Sequence, residues 1–188
     1  MLPEIVVDIL NELTSSSSTV LEYGSGGSTI NIARRAFKVY SVESDFIFQQ
    51  SVQEVLEQSN LSNATLLHVD IGPVTTGGQP LELLRLLYRD KWKQYASIPW
   101  RNNIDFRANL VFIDGRFRVS CFFETLLRNG TDTYHILFDD YKSRGQYHIV
   151  ETITTPVRYF GEAALFRIEN INRNAVSALL ANYHEDFS

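Results

Sequence analysis

Short runs of β-branched and other apolar residues alternate along the chain with stretches of helical pattern. The runs are typical of strands buried on both faces; they are Thr19–Tyr23, Lys38–Val42, Ala64–Val69, Asn109–Ile113 and Tyr134–Phe138. Helical patterns lie between them at Thr29–Phe37, Phe46–Gln58, Pro80–Trp92 and Phe117–Arg128. Because strand–helix–strand units form right-handed parallel crossovers, the alternation predicts a doubly wound α/β domain with a mostly parallel sheet.

Both ends of the chain extend this pattern. Residues 4–13 have the apolar spacing of an amphipathic lead-in helix, and a Ser-rich loop follows, so that 1–18 forms a lead-in segment. Extended runs at Ile149–Tyr159 and Ala163–Ile168 flank a glycine turn and predict a hairpin, and a last helix is predicted at Arg173–Tyr183. The 188 residues therefore predict a single domain, 1–188, with about seven strands, one of them antiparallel.

The charge balance narrows the possible partners. With 17 Lys and Arg against 22 Asp and Glu, the net charge is −5, which argues against a protein that coats nucleic acid or an anionic membrane. The single cysteine, Cys121, excludes a disulfide framework and a Cys-based zinc site. The start of the chain lacks a secretory signal, so we expect a cytoplasmic protein without a membrane or nucleic-acid partner; a homodimer remains open.

The first strand runs into a glycine turn and then a helix, in Val20-Leu21-Glu22-Tyr23-Gly24-Ser25-Gly26-Gly27-Ser28-Thr29. Glycines let the backbone approach a ligand closely, and a helix start directs free N–H groups at it. Glu43 ends the second strand 19 residues after Gly24, where an acid can bind the hydroxyls of an adenosine ribose. The pattern predicts a nucleotide site, although a tight turn without a ligand has the same residues.

The turn lacks residues that some nucleotide-binding motifs require, and this narrows the class of nucleotide that it can bind. A phosphate-binding P-loop needs Gly-Lys-Ser/Thr, and this turn has no lysine. A dinucleotide fingerprint needs glycine where Thr29 stands, which disfavours a nicotinamide or flavin enzyme. Glu22 can accept hydrogen bonds from an ammonium group, which S-adenosylmethionine has and a dinucleotide lacks.

Leu21–Thr29 resembles motif I of the class I S-adenosylmethionine-dependent methyltransferases, and Val42-Glu43-Ser44-Asp45 resembles the acidic motif that follows it. The resemblance extends from about Val20 to Ile168 and implies a Rossmann-like, seven-stranded fold. Ser28 stands where many members have a third glycine. The implied cofactor contacts are Glu22, Gly24, Ser25, Gly26, Ser28 and Thr29 near the methionine end, Glu43 and Ser44 at the ribose, and Asp70 and Ile71 at the adenine.

Three aspartates follow two other strands. Asp114 ends the fourth strand, and Asp139 and Asp140 end the fifth, so the carboxylates are expected together at the carboxyl edge of the sheet. The set resembles the metal-dependent O-methyltransferases, which implies that Asp114, Asp139 and Asp140 bind Mg²⁺ or another divalent cation. The lysine base of the catechol type is missing, because Gly115-Arg116-Phe117-Arg118 occupies its place.

Other interpretations of these residues stay open. Asp114 can cap the helix near Phe117, and the aspartates can pair with neighbouring arginines. Arg116 and Arg118 can grip a phosphate or carboxylate of the acceptor, or pair on the surface. The run Asp-Gly-Arg-Phe-Arg, together with Phe-Asp-Asp-Tyr, also resembles a group of small bacterial methyltransferase-like proteins of unassigned function.

An aromatic and basic segment at 89–108 contains both tryptophans, Trp92 and Trp100. It is predicted either to lie near the site and hold a sugar, an aromatic ring or a base, or to form a lid or subunit contact that packs its tryptophans into a groove. The resulting hypothesis is a methyltransferase with Asp114, Asp139 and Arg116 as catalytic residues, acting by O-methylation on a small acceptor that is sugar-like, aromatic or anionic. The alternative is a methyltransferase-like binding module without activity.

Overall fold

The computed structural model describes residues 2–75, 78–101, 107–130 and 132–183. Its seven strands form one sheet in the order β3-β2-β1-β4-β5-β7-β6. The first five strands in this order pair in parallel, and β7 runs antiparallel to both β5 and β6. The predicted doubly wound sheet with one reversed strand is therefore confirmed.

Helices alternate with the strands as far as β5. The strands are β1 Thr19–Tyr23, β2 Lys38–Glu43, β3 Ala64–His68, β4 Leu110–Ile113, β5 Tyr134–Phe138, β6 Arg158–Phe160 and β7 Ala163–Ile168. The α-helices are α1 Glu4–Leu13, α2 Gly27–Ala33, α3 Phe46–Gln58, α4 Arg85–Ser97, α5 Arg118–Arg128 and α6 Arg173–Tyr183. Short 3₁₀ segments occur at Glu82–Leu84, Ile98–Trp100 and Gly145–Thr152.

The sheet has a hydrophobic core on each face. On one face, α4, α5 and α6 bury residues such as Trp92, Phe122 and Val176. On the other face, α1, α2 and α3 bury residues that include Ile32 and Val52. With both faces covered, ligands of such a sheet bind in the crevice at the carboxyl ends of its strands, where neighbouring crossovers leave in opposite directions.

Several predicted boundaries are wrong, for local reasons. The helix predicted at Thr29–Phe37 is Gly27–Ala33, because Thr29 caps its first turn by accepting the Gly26 N–H at 2.8 Å. The helix predicted at Pro80–Trp92 starts only at Arg85 and continues to Ser97, because Pro80 pairs with Val74 in an isolated β-bridge.

The extended run predicted at Ile149–Tyr159 is also wrong. Residues Gly145–Thr152 form a 3₁₀ segment that buries Tyr147 and Val150, three positions apart, and only Arg158–Phe160 is a strand. The prediction that every strand is buried on both faces is wrong for β3. This edge strand is half-buried, and His68 is exposed. No helix among the described residues has both the length and the apolar character needed to cross a lipid bilayer.

Candidate functional site

The turn after β1 touches the turn after β4 through main-chain atoms alone. Gly24 has a φ of +98°, and a Cβ atom placed there would lie 2.7 Å from Gly115 Cα. A side chain at Gly115 would in turn meet the Gly24 nitrogen at 2.8 Å and the Tyr95 hydroxyl. Glycine is therefore required at position 24 by backbone conformation and at both positions by the close approach. Gly26 faces open space and has extended backbone.

Glu22 is buried behind the glycine turn and binds the hydroxyl groups at the start of α2. Its side chain is fully buried, and its carboxylate accepts hydrogen bonds from the hydroxyls of Ser28, Thr29 and Ser41, the last at 2.6 Å. Burial raises the pKa of Glu22 to about 7 although these three hydrogen bonds oppose the increase. The structure thus places Glu22 in a network that fixes the start of α2, and its predicted contact with the cofactor ammonium group stays a prediction.

Glu43 lies at the end of β2 with one carboxylate oxygen fixed by the chain. Oε1 accepts the backbone N–H groups of Ser44 at 2.7 Å and of Asp45 at 2.8 Å. Among the described residues, Oε2 has no hydrogen-bond donor, and Glu43 lines a cavity. Burial raises the pKa of Glu43, while the two backbone N–H groups oppose the increase. The side chain is therefore held in position with a hydrogen-bond acceptor left for a ligand.

A cavity of about 590 Å³ opens between these turns, which we call the first cavity. Gly24, Ser25, Glu43, Ser44, Asp114 and Arg116, all predicted from the sequence, line it. Its remaining lining residues are Asp45, Phe48, Val74, Thr75, Gly78, Tyr95 and Gly115. The volume is in the range of sites for small ligands and cofactors.

Sequence reasoning missed the side of the first cavity near residue 75. The chain folds back there through the Val74–Pro80 bridge, and Gly78 accepts a hydrogen bond from the Ser44 hydroxyl at 3.4 Å. Neither Asp70 nor Ile71, the predicted adenine contacts, lines this cavity. Asp70 instead pairs with Lys91, whose hydrogen bond lowers the pKa of Asp70, and the Ile71 carbonyl accepts the Trp92 indole N–H at 2.9 Å. The only signal for this side was the pair of glycines in Thr75–Gly78.

The predicted aspartate cluster forms at the ends of β4 and β5. One carboxylate oxygen of each of Asp114, Asp139 and Asp140 lies within 4.8 Å of the others. Burial raises the pKa of Asp114 to about 7, with Arg118 opposing and Asp139 adding to the increase, and burial also raises the pKa of Asp139. The close carboxylates of Asp114 and Asp139 thus add to the effect of burial on the pKa of Asp114.

Two arginines pair with the cluster, as the ion-pair interpretation predicted. Arg118 is 5% exposed and donates to the main-chain carbonyls of Gly115, Asp139 and Asp114 at 2.7–2.9 Å. Its guanidinium also lies 3.1 Å from Asp114 Oδ1 and 3.5 Å from Asp140 Oδ2. Arg144 lies 2.6 Å from the same Asp140 oxygen. Arg118 is thus buried between the ends of β4 and β5, and the prediction that it grips an acceptor anion is wrong.

The tryptophans of the 89–108 segment pack inside the protein. Trp92 is 1% exposed and packs against Phe117, and the half-buried Trp100 donates its indole N–H to the Tyr23 hydroxyl at 3.1 Å. The ring-binding interpretation is therefore wrong for Trp92, whereas a lid or subunit contact formed by this segment stays a prediction; residues 102–106 lie outside the described residues. Tyr95 of the same segment does reach the first cavity.

A second cavity, of about 680 Å³, lies between α1 and the aspartate cluster. It shares Gly24, Ser25 and Asp114 with the first cavity, so the two meet at the glycine turn. Ser28, Asp139 and Asp140 also line it. Of the predicted contacts in and beside the glycine turn, Glu22, Gly26 and Thr29 line neither cavity.

No protein-family model matches the chain, and no curated protein matches its sequence. Among solved structures, a methyltransferase-like protein from Silicibacter pomeroyi aligns with a TM-score of 0.83 and 27% identity over 99% of this chain and 96% of that one. A candidate methyltransferase from Streptococcus mutans, in complex with S-adenosylhomocysteine, aligns with a TM-score of 0.54 and 13% identity over 90% and 99%. A tRNA methyltransferase from Aquifex aeolicus has a TM-score of 0.54 and 12% identity over 90% and 71%.

The strand order, the reversed β7 and the glycine turn followed by an acid together define the class I S-adenosylmethionine-dependent methyltransferase fold. Within that class the chain is similar, over nearly its whole length, to the methyltransferase-like protein from Silicibacter pomeroyi.

Proposed function

We propose that the first cavity binds S-adenosylmethionine and that the chain transfers its methyl group to an oxygen of a small acceptor. One observation carries the proposal: the glycine turn, the carboxylate of Glu43 and the carboxylate of Asp114 line the same cavity at the carboxyl edge of the sheet. Ligands of open α/β sheets bind at this edge. The Streptococcus mutans structure, which holds S-adenosylhomocysteine, has the same fold and supports this choice of cofactor.

Two residues fit the cofactor by their chemistry. The free Oε2 of Glu43 suits the paired hydroxyls of a ribose, because Oε1 is already held by the main chain. Gly24 lines the same cavity without a side chain, so only main-chain groups border a ligand at this point of the turn. Binding of the methionine end by Ser25 is part of the same proposal; of the other predicted contacts, Ser28 lines only the second cavity and Gly26 lines neither cavity.

The chemistry needs positioning and a place for one proton. When bound, S-adenosylmethionine supplies a methyl group on a sulfonium; its transfer breaks the sulfur–methyl bond, forms a methyl–oxygen bond and releases the acceptor's proton. Asp114 lines both cavities where they meet and is placed to take this proton, with Asp139 beside it. Arg116, on the first cavity, is placed to orient the bound pair.

A small acceptor is favoured over RNA. The tRNA methyltransferase from Aquifex aeolicus has the same fold, so the fold alone leaves the acceptor class open. This chain carries a net charge of −5 and presents three aspartates at the site, which opposes a polyanion.

Thermal unfolding with S-adenosylhomocysteine tests the cofactor. A ligand at a hundred times its Kd adds about 2.7 kcal/mol, and each kcal/mol raises Tm by roughly 2–4 °C at this size, so we expect a rise of about 5–10 °C. Glu43→Gln should remove most of this rise. Glu54→Gln, which changes an exposed glutamate of α3, should keep it. NAD serves as the negative control, and a wild-type protein that does not respond to S-adenosylhomocysteine would refute the proposal.

A divalent cation at Asp114, Asp139 and Asp140 is a second form of the same proposal. The three carboxylates supply the hard oxygen ligands that Mg²⁺ prefers, and they lie close enough together to share one ion. The ion would lower the pKa of an acceptor hydroxyl and would compete with Arg118 and Arg144 for the same oxygens.

Metal removal separates the two forms. If a cation assists, chelation abolishes formation of S-adenosylhomocysteine in the presence of an acceptor, Mg²⁺ restores it, and Asp139→Asn abolishes it while the thermal response to the cofactor product persists. If the pairing of the aspartates with Arg118 and Arg144 suffices without a cation, chelation changes nothing. A broad acceptor screen in which no methyl transfer occurs, with the cofactor response intact, would favour the binding module over the enzyme.

A further inference from the structure

The second cavity has one apolar wall, and it comes entirely from the N-terminal segment. Leu2, Pro3, Val7 and Leu10 form this wall, while Val6 and Ile9 of the same helix face the core. Leu10 is 1% exposed, so the wall is anchored in the fold. A ligand that fills the cavity therefore buries an apolar body against α1.

The opposite wall is acidic. Asp114, Asp139 and Asp140 line it, together with Asn31 and Ser28. Arg118 and Arg144, which pair with these aspartates, do not line the cavity, and no lysine or arginine of the described residues does. The two arginines offset part of the carboxylate charge from outside the cavity, so the polar end offers acceptor oxygens and no cationic side chain to a carboxylate or phosphate placed there.

The first cavity differs in charge. Arg116 lines it beside Glu43 and Asp45, and Phe48 and Val74 are on its side near residue 75. The two cavities share only Gly24, Ser25 and Asp114, so a molecule in the second cavity would meet the cofactor next to Asp114. This arrangement is what transfer between two bound molecules requires.

We propose that the second cavity is the acceptor site, and that it takes an uncharged or cationic small molecule whose apolar body lies on α1 and whose hydroxyl or amino group donates to the aspartates. This proposal rests on the proposed function, because it assigns the first cavity to the cofactor. It also replaces the anionic acceptor considered from the sequence.

Three phenols of nearly equal size test the charge preference. They are tyramine, 4-ethylphenol and 4-hydroxyphenylacetate, which carry an ammonium, a neutral and a carboxylate end. Binding is measured by calorimetry at millimolar concentration on protein saturated with S-adenosylhomocysteine and treated with a chelator. We expect tyramine and 4-ethylphenol to bind at least about tenfold more tightly than the anion, because the acidic wall presents acceptors to the cavity and no cationic side chain of the described residues lines it. Equal or tighter binding of the anion overturns the proposal, and so does binding by none of the three.

A filled cavity tests the location. Val7→Trp places an indole in the apolar wall and should abolish binding of tyramine and 4-ethylphenol while the thermal response to S-adenosylhomocysteine is kept. Asp8→Trp is the matched control, because it adds the same ring at an exposed position of the same helix. Unliganded Tm values show that both variants are folded.

The possible failures are distinguishable. If the wild type does not respond to S-adenosylhomocysteine, the proposed function fails. If the wild type responds and Val7→Trp does not, the second cavity holds the methionine end of the cofactor and the acceptor assignment fails alone. If Mg²⁺ makes 4-hydroxyphenylacetate the tightest ligand, a metal rather than the bare aspartates faces the acceptor, and the stated charge preference is wrong.

Discussion

Among single residues, Glu22 makes a large pH-dependent contribution to stability. Burial raises its pKa from 4.5 to about 7, so between these values the folded state holds a proton that the unfolded state releases. A group of this kind stabilises fully below about pH 4.5, and the contribution is lost as pH rises through about 7. The loss amounts to about 3 kcal/mol of unfolding free energy above pH 8.

Glu22→Gln should therefore stabilise the protein at pH 8 and flatten the fall of stability between pH 5 and pH 8. The amide is neutral, which removes the cost of burying a charge, and the hydroxyls of Ser28, Thr29 and Ser41 can turn to accept from it. Urea unfolding at several pH values measures the effect. Glu54→Gln, the same exchange at an exposed position of α3, is the control and should leave the pH profile nearly unchanged. If Glu22→Gln keeps the wild-type slope, the assignment is wrong.

Gly24 and Gly27 form a matched pair for testing the turn. Gly24→Ala places a Cβ 2.7 Å from Gly115 and imposes a strained φ, so it should cost about 1–3 kcal/mol and remove the response to S-adenosylhomocysteine. At Gly27, in the first turn of α2, an added Cβ has no neighbour within 4 Å, and alanine should be neutral or stabilise by about 0.4–1 kcal/mol. Tm values of the two variants measure the difference, and equal losses would contradict it.

Among the elements, the ends of β4 and β5 are joined by one side chain from α5. Arg118→Met should destabilise by about 3–5 kcal/mol, because it leaves three main-chain carbonyls and the aspartates without their buried guanidinium. Arg118→Lys should recover only part of this, since an ammonium cannot span the same set of oxygens. Denaturant unfolding measures both variants.

Arg167→Met provides the comparison for that prediction. Arg167 pairs with Glu169 on β7 with more than half of both side chains exposed, and such pairs contribute about 0–1 kcal/mol. If Arg118→Met costs no more than Arg167→Met, the joining role of Arg118 is wrong.

Element identity was predictable where periodicity and burial agree. Tyr134–Phe138 matches β5 and Phe46–Gln58 matches α3 to the residue, because a buried central strand and an Asp45-capped helix follow local rules. The 3₁₀ segment at Gly145–Thr152 was not predictable, since its apolar residues pack on α5 through tertiary contacts that override β-branched propensity. Strand pairing could be inferred only as a class, from alternation and crossover handedness.

On the scale of the whole molecule, two cores share one sheet and should unfold together. Ile32→Val and Ile136→Val each remove one methylene from a different face and should cost about 0.5–1.5 kcal/mol. The double variant should show one transition, with the two costs adding to within about 0.5 kcal/mol. Urea unfolding followed by fluorescence and by circular dichroism measures this. Two separate transitions would mean that the faces unfold independently.

The candidate site was predictable as far as it depends on strand ends. Gly24, Glu43, Asp114 and Asp139 follow β1, β2, β4 and β5, and topology brings such residues to one edge without further information. The contributions of Phe48, Val74 and Tyr95 depend on how a loop and a helix fold over that edge, which no local pattern encodes. The inward turn of Glu22 could not be inferred either, because it depends on three hydroxyls from separate positions.

The contact between Gly24 and Gly115 separates recognition from chemistry. No side chain lies between the two turns, so the spacing from the cofactor cradle to Asp114 is set by peptide planes, which shift far less than rotamers when neighbours are replaced. A library that randomises Leu2, Val7 and Asn31 would change which molecules fit beside α1 and leave the acid where it is. Under the proposed assignment of the second cavity to the acceptor, such changes would alter the choice of acceptor, by drift or by design, without moving Asp114.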